Sequence, residues 1–312
     1  MQLVTTIESL ESHASEWDAL WRRAPGATPF QSPHWLLPWW THFSNGGELA
    51  VVMSADALAP LYVLRDEDES LGMFLGTGNS DYLDFVGTDV EPLLACALEV
   101  DCQFWDLQQI RPSSPLLSAA LPSGWSDNAE AMDPCPILSI ENAGEELSNL
   151  LSTHARKKLR YYRRAAKATY ESATHESLDE LLNALFDLHA ARWKARGLPG
   201  VLADDVTQSF HRQVARRMLE AGALRMYAMR INERIVAVFY GFAHHGTTYY
   251  YLSGFDPALD RLSIGSLLVA HAVEEAVREG GTTFDFLRGA EEYKYSWGAT
   301  DRINQRRQLF RG

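Results

Sequence analysis

No stretch of the sequence approaches the roughly eighteen uninterrupted apolar residues that a membrane-crossing helix needs. The opening residues, MQLVTTIESLESH, offer neither a basic start nor an apolar run of signal-peptide length, so the expectation is a cytoplasmic chain with no transmembrane segment. Cysteine is scarce: Cys96, Cys102 and Cys135 are odd in number and lack CxxC spacing, which points away from a disulfide framework and a zinc site and toward buried thiols. Positive charge is in deficit, 28 Lys and Arg against 41 Asp and Glu, for a net charge of −13. Backbone phosphates would be repelled by most of such a surface, so no DNA partner is expected and any anion site must be local. Metal ligands are not clustered either. The pair His244-His245 falls in an expected strand, where neighbours face opposite sides and cannot easily share one ion.

What is present is an ordinary globular composition, 46% hydrophobic and 22% charged, in a chain of 312 residues that has room for two domains. A helix is expected from about Ser9 to Ala24, where Leu10, Ala14, Trp17, Leu20 and Trp21 recur at helical spacing before Pro25-Gly26. PFQSPHWLLPWWTHF, with three prolines and three tryptophans, suits an irregular wedge that fills the core. Short β-type runs from Glu48 to Val86, a helix from Val90 to Glu99 and a strand from Phe104 to Arg111 read as a sheet with one helix. Residues from Pro112 to Ile140, rich in Pro, Ser and Asp, read as a low-order connection.

The second half begins with a helix expected from Glu145 to Tyr170. Its apolar stripe is Leu151, Ala155, Leu159, Tyr162 and Ala166, beside a basic stripe of Arg156, Arg160, Arg163, Arg164 and Lys167. Five cations on one face of an acidic protein fit either an anionic ligand, with Arg160 and Arg163 as its binders, or a solvated face. Helices Leu178 to Arg196 and Val206 to Glu220 follow, then a meander of three strands, Leu224 to Ile231, Ile235 to His245 and Thr248 to Phe255. After DPALDRLS comes a helix from Ser263 to Glu279 and a strand from Thr283 to Gly289. A strand that turns straight into a helix leaves the first N–H groups of the helix facing a possible anion. Here Ser263 would cap, Ile264 and Gly265 would present backbone, and Ser266 would add a hydroxyl. Plain helix capping is the bland alternative.

This order of elements resembles the GNAT N-acetyltransferases. LRGAEEYKYSWG, Leu287 to Gly298, is similar to the LRG-x-E-x-YK-x-x-W signature of the CelD-type acetyltransferases linked to polysaccharide biosynthesis, and the likeness extends to FQSPHWLLPWW, TGNSDYLDF, HAARWKARGLPG and YYLSGFDP. The resemblance implies an α/β, mixed-sheet GNAT fold. By likeness to Fem-type aminoacyltransferases it would be tandem, with a degenerate GNAT-like domain at 1–140 on the acceptor side and a catalytic domain at 141–312. It implies acetyl-CoA or a longer acyl-CoA as co-substrate, no metal, and a small-molecule amine acceptor, by family analogy a sugar nucleotide. Backbone from Leu252, Gly254 and Phe255 would polarise the thioester carbonyl. Glu291 would be the general base, with Asp256 and Glu292 in reserve; Lys294 would steady the oxyanion or grip phosphate, Tyr293 would protonate the leaving thiolate, and Arg288 would orient an acidic group or pair with Asp285. The usual turn, Gln/Arg-x-x-Gly-x-Gly/Ala, falls on Asp260, Ser263 and Gly265, so its basic first position and first glycine are absent, and Arg261 is the nearest substitute. An acyl carrier protein as donor, a tRNA-dependent Fem-type transfer and a catalytically silent GNAT-like binding module are the competing readings.

Overall fold

A computed structural model describes residues 1–67, 69–144, 147–194 and 197–312. The chain divides into two compact units, 1–134 with 302–312, and 135–301. Relative to the expected boundary at 140, the last strand therefore groups with the first unit.

In the first unit the expected single helix is two, Ile7–Ser12 and Ala14–Arg23, with His13 between them. The aromatic segment is not an irregular wedge. It forms a 3-10 turn, Pro29–Gln31, and then the helix Pro33–Phe43. Proline misleads here because Pro33 sits at the first helical turn, where no N–H is needed, while Ser32 caps by accepting from Trp35 N at 3.2 Å. Trp17, Trp21, Trp35 and Trp39 are all buried, as core filling requires. One antiparallel sheet joins Gln2–Val4, Val51–Met53, Ala57–Ala59 and Val86–Gly87. A second run of strands pairs Glu48–Leu49, Leu61–Asp66, Glu69–Phe74 and Phe104–Ile110, with the C-terminal strand Thr300–Arg311 antiparallel to the last. Helix Val90–Ala97 packs its Leu93, Leu94 and Ala97 into their core. The expected low-order connection is mostly a strand, Trp125–Ser139, whose residues 126–131 are exposed. A solvated strand carries no alternating apolar signal, and its Asp, Asn and Glu residues read as loop.

The second unit is built on Thr169–Ser172, Leu224–Ile231, Arg234–His244 and Thr247–Phe255 as successive antiparallel neighbours. Thr247–Phe255 then pairs in parallel with Thr283–Asp285, which in turn pairs antiparallel with residues 137–139. The first expected helix is shorter, Thr153–Ala166; Lys167 in a left-handed conformation ends it, and Tyr170 belongs to a strand. Its expected start at Glu145, like the expected end of the next helix at Arg196, lies outside the described residues. Leu151 and Ala166 are core, with Ala155, Leu159 and Tyr162 packed against it, as the apolar stripe predicts. Helices Leu178–Lys194 and Asp205–Glu220 precede the meander, and Ile264–Arg278 follows it. Among the described residues no helix is long and apolar enough to cross a membrane, and no group of three metal-ligating side chains is found. None of the three cysteines forms a disulfide; Cys102 and Cys135 are buried and Cys96 is half-buried.

Two glycines set how closely the layers approach. A Cβ on Gly254 would meet Leu185 O and His189 N at 2.8 Å, so its missing side chain lets helix Leu178–Lys194 lie directly on the strand. A Cβ on Gly241 would fall 2.2 Å from Tyr249 O, at the point where register shifts between Tyr240 and Gly241. Gly254→Ala is expected to lower stability by about 1–3 kcal/mol, because backbone on the helix side cannot yield as a flexible side chain would. Urea unfolding followed by circular dichroism tests this; an unchanged midpoint would show that the helix is free to shift.

Candidate functional site

Thr247–Phe255 and Thr283–Asp285 are matched only at Thr247↔Thr283, Thr248↔Phe284 and Tyr249↔Asp285. Beyond Asp285 the second strand stops. Leu287 takes a left-handed conformation (φ 58°), and its N–H is captured at 2.8 Å by the buried carboxylate of Asp285. The expected strand to Gly289 is cut short for that reason. Residues 250–255 of the neighbouring strand thus lose this partner, and the two strands part.

The parted segment carries a bulge: Tyr240 faces Leu252 while Gly241 faces Tyr250, leaving Tyr251 unmatched. In a regular strand residues three apart point to opposite faces. The extra residue brings Tyr250 and Ser253 to one face, their hydroxyls 2.6 Å apart. Tyr251 lies on the other face among His211, Tyr240 and Phe242.

After Phe255 the chain makes a 3-10 turn, Pro257–Leu262, and enters helix Ile264–Arg278 through Ser263, which is left-handed and forms no side-chain cap. The expected serine cap is therefore not made, and the leading amides of Ile264, Gly265 and Ser266 are left to solvent or a ligand. A Cβ on Gly265 would touch only the Phe255 ring, at 3.4 Å. Arg261 is exposed on the turn. Asp256 is committed to structure: it caps the turn through Ala258 N at 2.9 Å and pairs with Arg234.

Ser266 opens onto a groove of about 300 Å³ whose walls include Leu151 just before the basic helix, His154, Lys158 and Tyr162 on that helix, and Tyr293 and Trp297 from the signature segment. Three segments singled out in the sequence thus meet at one place. The cation that lines it is Lys158, whose ammonium lies 5.9 Å from the Tyr162 ring. Arg160 is exposed and does not line the groove. Arg163 is paired with Glu274 at 2.6 Å. The basic stripe is therefore part ion pair, part solvated, and only its edge reaches the groove.

Lys294 is 3% exposed and fully engaged. Its ammonium donates to the carbonyls of Leu287, Arg288 and Gly289 at 3.1, 2.9 and 3.0 Å and pairs with Glu291 at 2.8 Å. This geometry makes it a clamp on the chain leaving the sheet, with no donor to spare for a distant oxyanion. Glu291 keeps its side chain 58% exposed and stands before the short helix Glu292–Tyr295. Tyr293 packs edge-on to Phe286. Burial around its hydroxyl, with Tyr250 and Glu291 nearby, pushes its pKa well up, and burial does the same for Tyr250. Both are phenols at neutral pH.

Several residues here were not singled out from the sequence as site residues. Helix Leu178–Lys194 brings His189, Arg192 and Trp193 to the same strand. His189 is buried, accepts from Trp193 Nε1 at 2.9 Å, and has its pKa pushed down to about 4 by burial and then by Arg192. The HAARWKARGLPG resemblance marked this segment without distinguishing them, and its Ala195 and Arg196 lie outside the described residues. Tyr250 and Ser253 had no signal, since only the bulge makes them neighbours.

Residues 153–295 match the family model of the acetyltransferase (GNAT) domain. Over those residues the chain thus carries a GNAT-type acyltransferase domain. Solved structures agree on the fold. FemX is similar over 98% of this chain and 97% of its own, with a TM-score of 0.72 at 12% identity. L-PGS from Bacillus licheniformis is similar over 96% and 91%, with a TM-score of 0.63 at 11% identity. A tandem GNAT protein from the clavulanic acid biosynthesis pathway covers 99% and 97%, with a TM-score of 0.50 at 12% identity. The expected mixed-sheet GNAT fold with tandem relatives is thereby shown. No curated protein matches the sequence.

Two outcomes are expected. Lys294→Met leaves three carbonyls and Glu291 without their donor and should cost about 3–5 kcal/mol, measured as a fall in denaturation midpoint. His189, ordinarily 6.5 and here about 4, is protonated first in the unfolded chain. Stability is then complete above about pH 6.5 and is lost as pH falls through the folded value, by up to about 3 kcal/mol. His189→Gln, which keeps an acceptor for Trp193, should flatten that dependence; an equally steep profile would remove His189 from the account.

Proposed function

We propose that the chain is an acyl-CoA-dependent N-acyltransferase, acetyl-CoA being the simplest donor, acting on an amine in polysaccharide or cell-envelope biosynthesis. The observation that carries this reading is the end of parallel pairing at Tyr249 and Asp285, together with the uncapped helix amides at Ile264–Ser266 and the groove that Ser266 shares with Lys158. A pyrophosphate suits the helix start, where N–H groups and the helix dipole favour negative charge. The absent basic first position of the usual turn is offset by Lys158 across the groove.

The thioester would lie along residues 250–255, with backbone N–H groups of the bulged strand, around Leu252, polarising its carbonyl. A neutral amine attacks the carbonyl carbon and passes its proton to Glu291, directly or through a water. The C–S bond then breaks, and the departing thiolate takes a proton from Tyr293, whose raised pKa keeps that proton in place until a base appears. Lys294 holds the loop that presents both groups, and Arg288 stands next to it on the acceptor side. An acyl carrier protein could replace CoA as donor, whereas a tRNA donor would need a broad basic face that a net charge of −13 does not favour.

Titration calorimetry with acetyl-CoA should show binding to the wild-type chain. Ser266→Asp, which sets a carboxylate at the helix start, should weaken it by about tenfold or more, since repulsion replaces one charge-assisted contact. Tyr293→Phe should leave that affinity intact and lower kcat by about a hundredfold, as expected for loss of an acid. Failure of acetyl and long-chain acyl-CoA alike to bind would refute the reading.

A further inference from the structure

Resting on the acyltransferase reading for its role, we infer that Arg192 is the receptor for an oxyanion, a carboxylate or phosphate, carried by the amine acceptor. Arg192 lies near the end of helix Leu178–Lys194, its guanidinium carbon 4.4 Å from the centre of the Phe255 ring. Its Nε is buried without a hydrogen-bond partner, and no carboxylate pairs with it among the described residues. The other arginines around this unit's strands differ. Each has a carboxylate: Arg225 pairs with Glu279, Arg234 with Asp256, Arg278 with Glu275, and Arg230, whose Nε is likewise buried and unpartnered, has its charge met through Nη2 by Glu171 and Glu180.

A guanidinium cannot escape burial by losing its proton. A buried donor with no acceptor is costly, more so when charged, and such groups in native structures call for a partner. The C-terminal end of a helix attracts a cation. That attraction explains a positive charge at this place, but a solvated lysine would serve it, and it does not explain an Nε directed into the interior.

Position says which ligand the partner belongs to. Phe255 neighbours both Arg192 and the helix start, its ring being the nearest contact of a Cβ placed on Gly265. Arg192 lies near enough to Tyr250 and Tyr293 for its positive charge to work against the upward push that burial gives both hydroxyls. It reaches them from helix Leu178–Lys194, while the groove proposed for the donor is lined by the basic helix, Ser266 and the signature segment. A planar fork with two free N–H directions pairs side-on with a carboxylate or phosphate. An amine whose acid group docks on Arg192 would present its nitrogen to the carbonyl from the face opposite the donor's phosphates.

The test uses the full chain with ¹⁵N-labelled arginine, observing side-chain Nε–H signals. The signal missing from Arg192→Lys identifies Arg192. Inorganic phosphate and acetate, titrated separately into wild type, should shift that signal saturably, and the anion that saturates first tells phosphate from carboxylate. No saturable shift with either anion overturns the inference. Acetyl-CoA affinity by calorimetry should be the same within about twofold in Arg192→Lys and wild type, whereas a loss of about tenfold would assign Arg192 to the donor and overturn it too. If acetyl-CoA binds neither protein while the anion shift persists, the acyl-CoA reading fails and the oxyanion site stands.

Discussion

The ammonium of Lys294, shut away from solvent and donating to three successive carbonyls, fixes where the chain goes after it leaves the sheet. A lysine in so dry a place is tolerable only because every donor is used and Glu291 supplies the opposite charge. The consequence is geometric. With residues 287–289 drawn toward Lys294 and Leu287 turned left-handed, Thr283–Asp285 cannot extend alongside its parallel neighbour. The parting of the strands therefore follows from two contacts together, the Asp285 carboxylate on the Leu287 N–H and the Lys294 ammonium on the carbonyls beyond it.

That parting gives the bulged strand its value. Had the strands stayed paired, the N–H groups of residues 250–255, which point alternately to one edge and the other, would all be engaged, leaving no backbone donor for a ligand. Parting frees one edge, and the bulge at Tyr251 turns the remaining side chains so that Tyr250 and Ser253 share a face. Gly241 permits the bulge and Gly254 permits the helix that covers it. Small residues on a strand thus serve the approach of backbone to backbone.

Periodicity made the second unit legible. The meander, the helices around it and the apolar stripe of Thr153–Ala166 all follow from alternation or from a 3.6-residue repeat. The signature segment announced itself by residue type, but the role of Lys294 did not, because lysine in a sequence carries no mark of burial. Arg160 and Arg163 were prominent as part of a stripe, yet Glu274, more than a hundred residues away, decides what Arg163 does. Pro33 and Pro38 hid a helix, and the polar run of Trp125–Ser139 hid a strand, since both lie where tertiary neighbours outweigh local preference. Arg192 was invisible for the same reason: its distinction is a partner it lacks.

Charge completes the argument. In a chain with thirteen more acids than bases, cations near the site would be expected to find carboxylates, and most do. Lys158 and Arg192 are two for which no carboxylate partner is found among the described residues, one on the groove and one over Phe255. A transfer reaction between two anionic molecules requires that each be held by its own cation, far enough apart that the two ligands do not repel one another out of line. Anions brought together in a low-dielectric cleft oppose each other strongly, and only separate counter-charges can hold the nucleophile and the thioester within attacking distance. An acidic protein with two unspent cations on different walls of one site meets that requirement, and its general negative surface keeps unrelated polyanions away from both.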